Sequence, residues 1–280
     1  MLAVYDLAGA PPTWDFATWL VRAEMERARQ GAAKLRVAIR KNASGNGFRV
    51  DGLPPPLDER AFMLDHIGRP LLRLIGAEPA DGDQAAGSEF SYLAADIVEA
   101  ARAGEAIPLF RPSTHAAALV ARWCGAAYIT ITLREVEYWP ARNSQLGEWL
   151  CVAKALESQG RRVLFVRDTA LAGEPLPGFP TAPWASVDVD LRCALYAGAA
   201  LNLGVCNGPM ALSIYGPAPY LLFKQLLPGS PTQSEYFWRR AMGLGPGEHF
   251  PWATPWQRMT WTDDGFGEIM SAISALPPAS

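Results

Sequence analysis

One pattern constrains this chain more than any other: short apolar runs that read as strands alternate with stretches patterned as helices, from end to end. LAVYDL is bounded by Gly-Ala-Pro-Pro, and from Trp14 to about Gln30 the residues Phe16, Trp19, Leu20 and Ala23 share one helical face. KLRVAIRK reads as a second strand, and DERAFMLDHIGRPLLRLIGAE as a helix kinked or split at Pro70. KNASGNGF and ADGDQAAGSE read as loops, and DIVEAARAG as a helix stopped by Gly104. IPLFRP (107–112) is a further strand candidate. STHAAALVARWCG then reads as a helix capped by Ser113 or Thr114. AYITITL (127–133), rich in Ile and Thr, fits a strand buried on both faces. The alternation continues with a helix from Gln145 to Gln159, strand RRVLFVRD, helix VDVDLRCALYAG, strand AALNLGV, helix NGPMALSIYG, strand PYLLFK and helix SEYFWRRAMG. MTW, a short strand or turn, precedes the closing helix in DGFGEIMSAISAL.

Such alternation is the signature of parallel sheets flanked by helices. Over 280 residues it predicts an α/β protein of two Rossmann-like domains, a small one over 1–110 and a larger, more regular one over 111–280. With 50% hydrophobic and 19% charged residues, the chain can build a packed core. The net charge of -3 includes no basic block, which argues against nucleic acid as a partner. An anionic ligand would therefore need a local cationic cluster. The start lacks a basic region followed by an apolar core, and no run is long enough to span a bilayer. A cytoplasmic protein is expected, with peripheral membrane association left open. Cys124, Cys151, Cys193 and Cys206 show no metal or redox spacing and are expected to be buried, reduced thiols.

In open parallel sheets ligands sit at the carboxyl ends of strands, where helix amino ends favour anions. Three junctions of the second half combine these features. Arg134 ends AYITITL, with Arg142-Asn143-Ser144 at the next helix start; Arg167-Asp168-Thr169 follows RRVLFV; Cys206-Asn207-Gly208-Pro209 follows AALNLGV. One crevice lined by all three suits a diphosphate, held by the planar forks of Arg134 and Arg142, by Asn143, and by backbone amides near Asn207 and Gly208. Asp168 and Asp190 are the candidates for holding a nucleoside. G-x-G-x-x-G, the G-x-x-x-x-G-K-[ST] phosphate loop and G-x-S-x-G are all absent at these junctions, which disfavours NAD chemistry, ATP hydrolysis and serine hydrolysis. Asp81-Gly-Asp83 and Asp188-Val-Asp190 have a spacing that can hold magnesium, but acidic residues at a helix start serve as caps, and no metal is expected. Of His66, His115 and His249, His115 at a helix start is the one candidate for a polar site.

The second half resembles the nucleotide-binding half of glycosyltransferases with the two-Rossmann GT-B architecture, loosely the fucosyltransferase- or heptosyltransferase-like members. The resemblance runs over about 110–275 and rests on ITITLRE with a following RNS, then RRVLFVRD, DLRCALYAGAALNLGVCNGPMALSIYGPAPYLLFK and WTDDGFGEIMSAI. The first 110 residues match only as a reduced acceptor half. Arg134 looks like the strand-end arginine that fucosyltransferase-like members set against the donor diphosphate, although here it stands in Leu133-Arg134-Glu135. The resemblance implies metal-independent transfer, without a cofactor, from a nucleotide-diphosphate sugar to a glycan, lipid or protein acceptor. Glu135, or Asp6 from the facing domain, would deprotonate the acceptor. The competing readings are a nucleotide-sugar epimerase or isomerase, and a non-catalytic nucleotide- or sugar-binding protein of the same fold.

Overall fold

The computed structural model describes residues 1–40, 61–81, 87–125, 127–137, 139–227, 230 and 232–278. KNASGNGF, and Asp83 of the first D-x-D pair, lie outside them. Two parallel sheets carry the architecture. The first is built from β1 (Leu2–Asp6), β2 (Arg36–Arg40) and β3 (Glu78–Ala80) in that order. On its free side β1 is covered by Ser88, whose carbonyl accepts the Val4 N–H at 2.8 Å. Helix α1 (Asp15–Arg29) joins β1 to β2 and buries Phe16, Trp19, Leu20, Ala23 and Met25. Tyr5 on β1 packs edge-on against both Phe16 and Trp19, at 4.6 and 5.1 Å between centroids. Truncating such a buried ring to alanine costs about 3–5 kcal/mol.

Pro70 acts as the sequence suggests. It has no N–H with which to continue the preceding helix, so Leu64–Gly68 forms a widened π turn closed by the Arg69 N–H on the Leu64 carbonyl. Helix α2 (Arg69–Leu74) then restarts with the proline in its first turn. The helix reading ran to Glu78 and a loop reading began at Ala80, but Glu78–Ala80 forms β3: Glu78 pairs with Arg36, and Pro79 is tolerated because β3 is an edge strand. Helix α3 (Ala95–Arg102) ends before Gly104, at φ +91°. IPLFRP is not a strand. Pro108 and Pro112 bar a ladder, and the segment is a connector pinned by the Phe110 N–H on the Tyr215 carbonyl and the Arg111 N–H on the Leu74 carbonyl, both 2.8 Å.

The second sheet takes the order β5-β4-β6-β7-β8, all parallel: β4 (Tyr128–Thr132), β5 (Arg162–Val166), β6 (Leu201–Val205), β7 (Tyr220–Phe223) and β8 (Gln257–Thr260). Its helices are α4 (Thr114–Cys124), α5 (Leu146–Ser158), α6 (Pro183–Val187), α7 (Val189–Gly198), the single turn α8 (Ala211–Ile214), α9 (Glu235–Phe237) and α10 (Phe266–Ser274). Ser113 caps α4 by accepting the Ala116 N–H at 3.1 Å. Every residue of β4 and β6 is buried, and their polar side chains pair inside: Thr130 with Asn202 at 2.6 Å, Thr132 with the Tyr196 hydroxyl at 2.7 Å. The chain steps from β4 out to β5 and returns past it to β6. That reversal opens a crevice at the carboxyl ends of β4 and β6. The two halves share apolar packing through Phe110, Tyr215 and Trp252.

Candidate functional site

The excursion after β4 is folded onto itself. Arg134 is only 5% exposed. Its N–H donates to Ser144 Oγ at 2.9 Å, and its guanidinium donates to the Trp139 carbonyl at 3.1 Å and Asn143 Oδ1 at 2.5 Å. Asn143 also accepts the Val136 N–H and donates to the Val136 carbonyl, so its amide closes the loop. Trp139 adopts a left-handed conformation, φ 55°, and its ring carries the Arg142 guanidinium at 5.9 Å. At the end of β5, Arg167 forks onto Glu135 at 2.7 and 3.0 Å. Asp168 accepts the Glu135 N–H, and burial raises its carboxyl above the ordinary range against the pull of that bond, Arg192 and Arg134.

The end of β6 holds an unsatisfied polar group: both polar side-chain atoms of Asn207 are buried, and neither has a hydrogen-bond partner among the described residues. Such an orphan costs free energy unless a ligand or water completes it. Pro209 has no N–H and the Met210 N–H closes on the Asn207 carbonyl at 3.2 Å, so the turn exposes fewer amides than the sequence suggests. Gly208 lies under the Trp14 indole of the first half; a Cβ there would stand 2.7 Å from Trp14 Cβ.

Lys224, at the end of β7, is the cation that sequence reasoning passed over. It is 3% exposed, and burial lowers its pKa to about 8, with Arg142 and Arg134 adding repulsion and the Cys206 thiol opposing. Its ammonium sits 4.9 Å over the Trp238 ring, and among the described residues no carboxylate pairs with it. Asp264, after β8, lines the same crevice, but its oxygens accept the Trp149 indole N–H at 2.6 Å and the Gln145 N–H at 2.9 Å, and burial raises its pKa. The crevice between Arg142, Cys206, Lys224, Gln233 and Asp264 has a free volume of about 20 Å³, room for one water.

A larger cavity, about 720 Å³, opens beside the connector between Arg73, Arg111, Ser113 and Asp190. Asp190 belongs there, where it accepts the Ser113 N–H at 2.8 Å, and does not join the Arg142–Lys224 crevice. Asp188 caps α7 through the Leu191 N–H. His115 is exposed on the first turn of α4. Of the thiols, Cys124 and Cys193 are buried, whereas Cys151 is exposed on α5. The candidate site lies at the smaller crevice, where Arg142 and Lys224 converge; the orphaned Asn207 directly follows Cys206 of its wall.

From the first half, Asp6 at the end of β1 accepts the Ala8 N–H at 2.8 Å and pairs with Arg40 at 2.6 Å, interactions that lower its pKa. A second carboxylate there, Asp15, was read only as part of a helix start. Parallel topology puts the first turn of α1 at the carboxyl edge of β1, the signal that marks it. Asp15 accepts from Thr13 Oγ1 at 2.5 Å and feels the Arg142 charge across the cleft. The surrounding protein raises its pKa although water reaches it, so screening limits the effect.

No family model and no curated protein matches this chain. Its backbone is similar to solved structures over almost its whole length. With the ADP-heptose LPS heptosyltransferase II of E. coli the TM-score is 0.56 at 10% identity, covering 98% of each chain. With the family 9 glycosyl transferase of Veillonella parvula it is 0.51 at 9% identity, covering 99% of this chain and 90% of that one. With the dodecameric iron-containing glycosyltransferase TibC of enterotoxigenic E. coli it is 0.50 at 14% identity, covering 98% and 75%. The fold is thus the GT-B arrangement of two Rossmann-like units, and the likeness extends through the first half as well as the second.

Proposed function

We propose that the chain is a glycosyltransferase that takes a sugar from a nucleoside-diphosphate donor. The observation that carries this reading is Lys224, which has no carboxylate partner among the described residues and lies buried near Arg142 and Arg134 at a strand-end crevice. Isolated buried cations are costly and persist where an anion completes them. The heptosyltransferase II to which the backbone is similar is described with ADP-heptose, a donor of that class. Fold alone would not decide function; the charge at the site supports it.

Asp15 is the carboxylate best suited to deprotonate the acceptor hydroxyl. Its pKa is raised and it faces the cationic wall, whereas Glu135 and Asp6 are engaged by Arg167 and Arg40. In this scheme the acceptor oxygen attacks the anomeric carbon as its proton passes to Asp15. The bond from that carbon to the diphosphate breaks, and its electron pair leaves with the phosphate oxygen. Lys224 and Arg142 meet the growing negative charge, so side-chain cations serve where a divalent metal otherwise would. Asp168, half-buried near Arg192, is assigned to the nucleoside side.

Thermal shift with ADP, GDP and UDP is the first test, since a ligand of the native state raises the melting temperature. At least one should stabilise the wild type and fail to stabilise Lys224→Met. Absence of any shift, with no nucleotide released from a panel of nucleotide sugars, would remove the reading.

A further inference from the structure

The crevice is too small for a diphosphate because one of the protein's own side chains fills it. Gln233 is polar yet only 4% exposed. With its amide oxygen toward Arg142 it accepts from Arg142 Nε, and its amide nitrogen donates to the Gln225 carbonyl at 2.9 Å. Its backbone is held as well: its N–H donates to Ser230 Oγ and its carbonyl accepts the Leu227 N–H, both at 3.1 Å. A neutral oxygen thus meets a guanidinium in a wall that also carries Lys224.

From this we infer that Gln233 stands in for a phosphate oxygen on Arg142, and that a diphosphate binds by displacing it. The inference rests on the donor reading above. Three observations support it. The free volume, about 20 Å³, cannot admit even one phosphate beside the amide. Arg142 Nε and the space before Lys224 border the same crevice, so a group that takes the first also reaches the second. A phosphate adds opposite charge and a bidentate geometry that a neutral amide oxygen does not offer a guanidinium, which favours exchange of amide for phosphate. Gln233 would then set a threshold: a diphosphate carries enough charge to replace the amide, whereas a neutral nucleoside does not. The residue acts through Arg142 and is a positioning residue, not a catalytic one.

Isothermal titration of the full chain with inorganic pyrophosphate and with ADP, GDP and UDP tests this. Gln233→Met keeps the length and packing but removes the acceptor; pyrophosphate should bind about 5- to 10-fold more tightly than to the wild type, equivalent to about 1–1.4 kcal/mol. Gln233→Glu puts a fixed carboxylate on Arg142, and affinity should fall at least about 10-fold by the same scale. Should the methionine variant melt early, Gln233→Ala supplies the same comparison. Wild-type binding that is unchanged or weakened in both neutral variants overturns the displacement and leaves the donor reading standing. If neither the wild type nor any variant binds a diphosphate, the donor reading falls and the displacement falls with it.

Discussion

The carboxyl edges of the two sheets occupy equivalent positions in their domains, yet they treat charge oppositely. At the edge of the first sheet Asp6, Arg40 and Glu89 form a chain of ion pairs, 2.6 and 3.0 Å long and partly open to water. At the edge of the second sheet no carboxylate among the described residues pairs with the buried Lys224, and Arg142 Nε donates to a neutral amide. Desolvation makes the second arrangement expensive and leaves the first nearly neutral in energy. A fold that needed only stability would pair both edges. The contrast agrees with the proposed anion site in the second half, with Asp15 as the proposed base in the first.

Breaking that division at Asp15 should have the largest effect. Asp15→Asn is expected to lower kcat by about 10²- to 10⁴-fold while nucleoside diphosphate affinity stays unchanged, as single-turnover and titration measurements would read. An equal loss in Glu135→Gln with none in Asp15→Asn would return the base to the second half. Next, Lys224→Met should weaken diphosphate binding about 10- to 100-fold, the scale of one or two charge-assisted hydrogen bonds. The same variant should melt at a higher temperature, because a buried cation is exchanged for an apolar chain. Function and stability then move in opposite directions, which a purely structural lysine would not produce.

The pH dependence sharpens the point with a smaller effect. Lys224 keeps its proton up to about 8 when folded and up to about 10.5 when unfolded. Between those values the unfolded chain binds more protons, so this group's contribution to stability rises with pH. Affinity for diphosphate should fall across the same window, as the folded lysine loses its charge. Calorimetry from pH 7 to 10 reads both trends, and in Lys224→Met both should flatten. The smallest change belongs to the paired edge. Asp6→Asn removes a partly exposed ion pair and should leave diphosphate affinity untouched with a marginal loss in melting temperature.

Much of this was readable from sequence, for a physical reason: a charged residue ending an apolar run must lie at a strand end. That rule marked Arg134 and Asp168, and it applies equally to Lys224, the last residue of PYLLFK, which was read as strand and not singled out. Asp15 was hidden by its chemistry, since an acid in the first turn of a helix is expected for the helix's own sake. Asn143 shows the converse; its type suited a ligand, but the loop it closes engages both ends of its amide. IPLFRP was misread because hydrophobicity spoke louder than proline, and β3 was missed because Glu-Pro-Ala is too short and polar to show a strand pattern. No sequence pattern announces Gln233, whose meaning depends on a partner 91 positions away, across β5, β6 and β7.

The Trp14 ring resting on bare backbone at Gly208 has a steric corollary. A Cβ at that position would stand 2.7 Å from Trp14 Cβ, so any side chain there must shove the indole aside. Substituting this one glycine would therefore drive a wedge between the first half and the second.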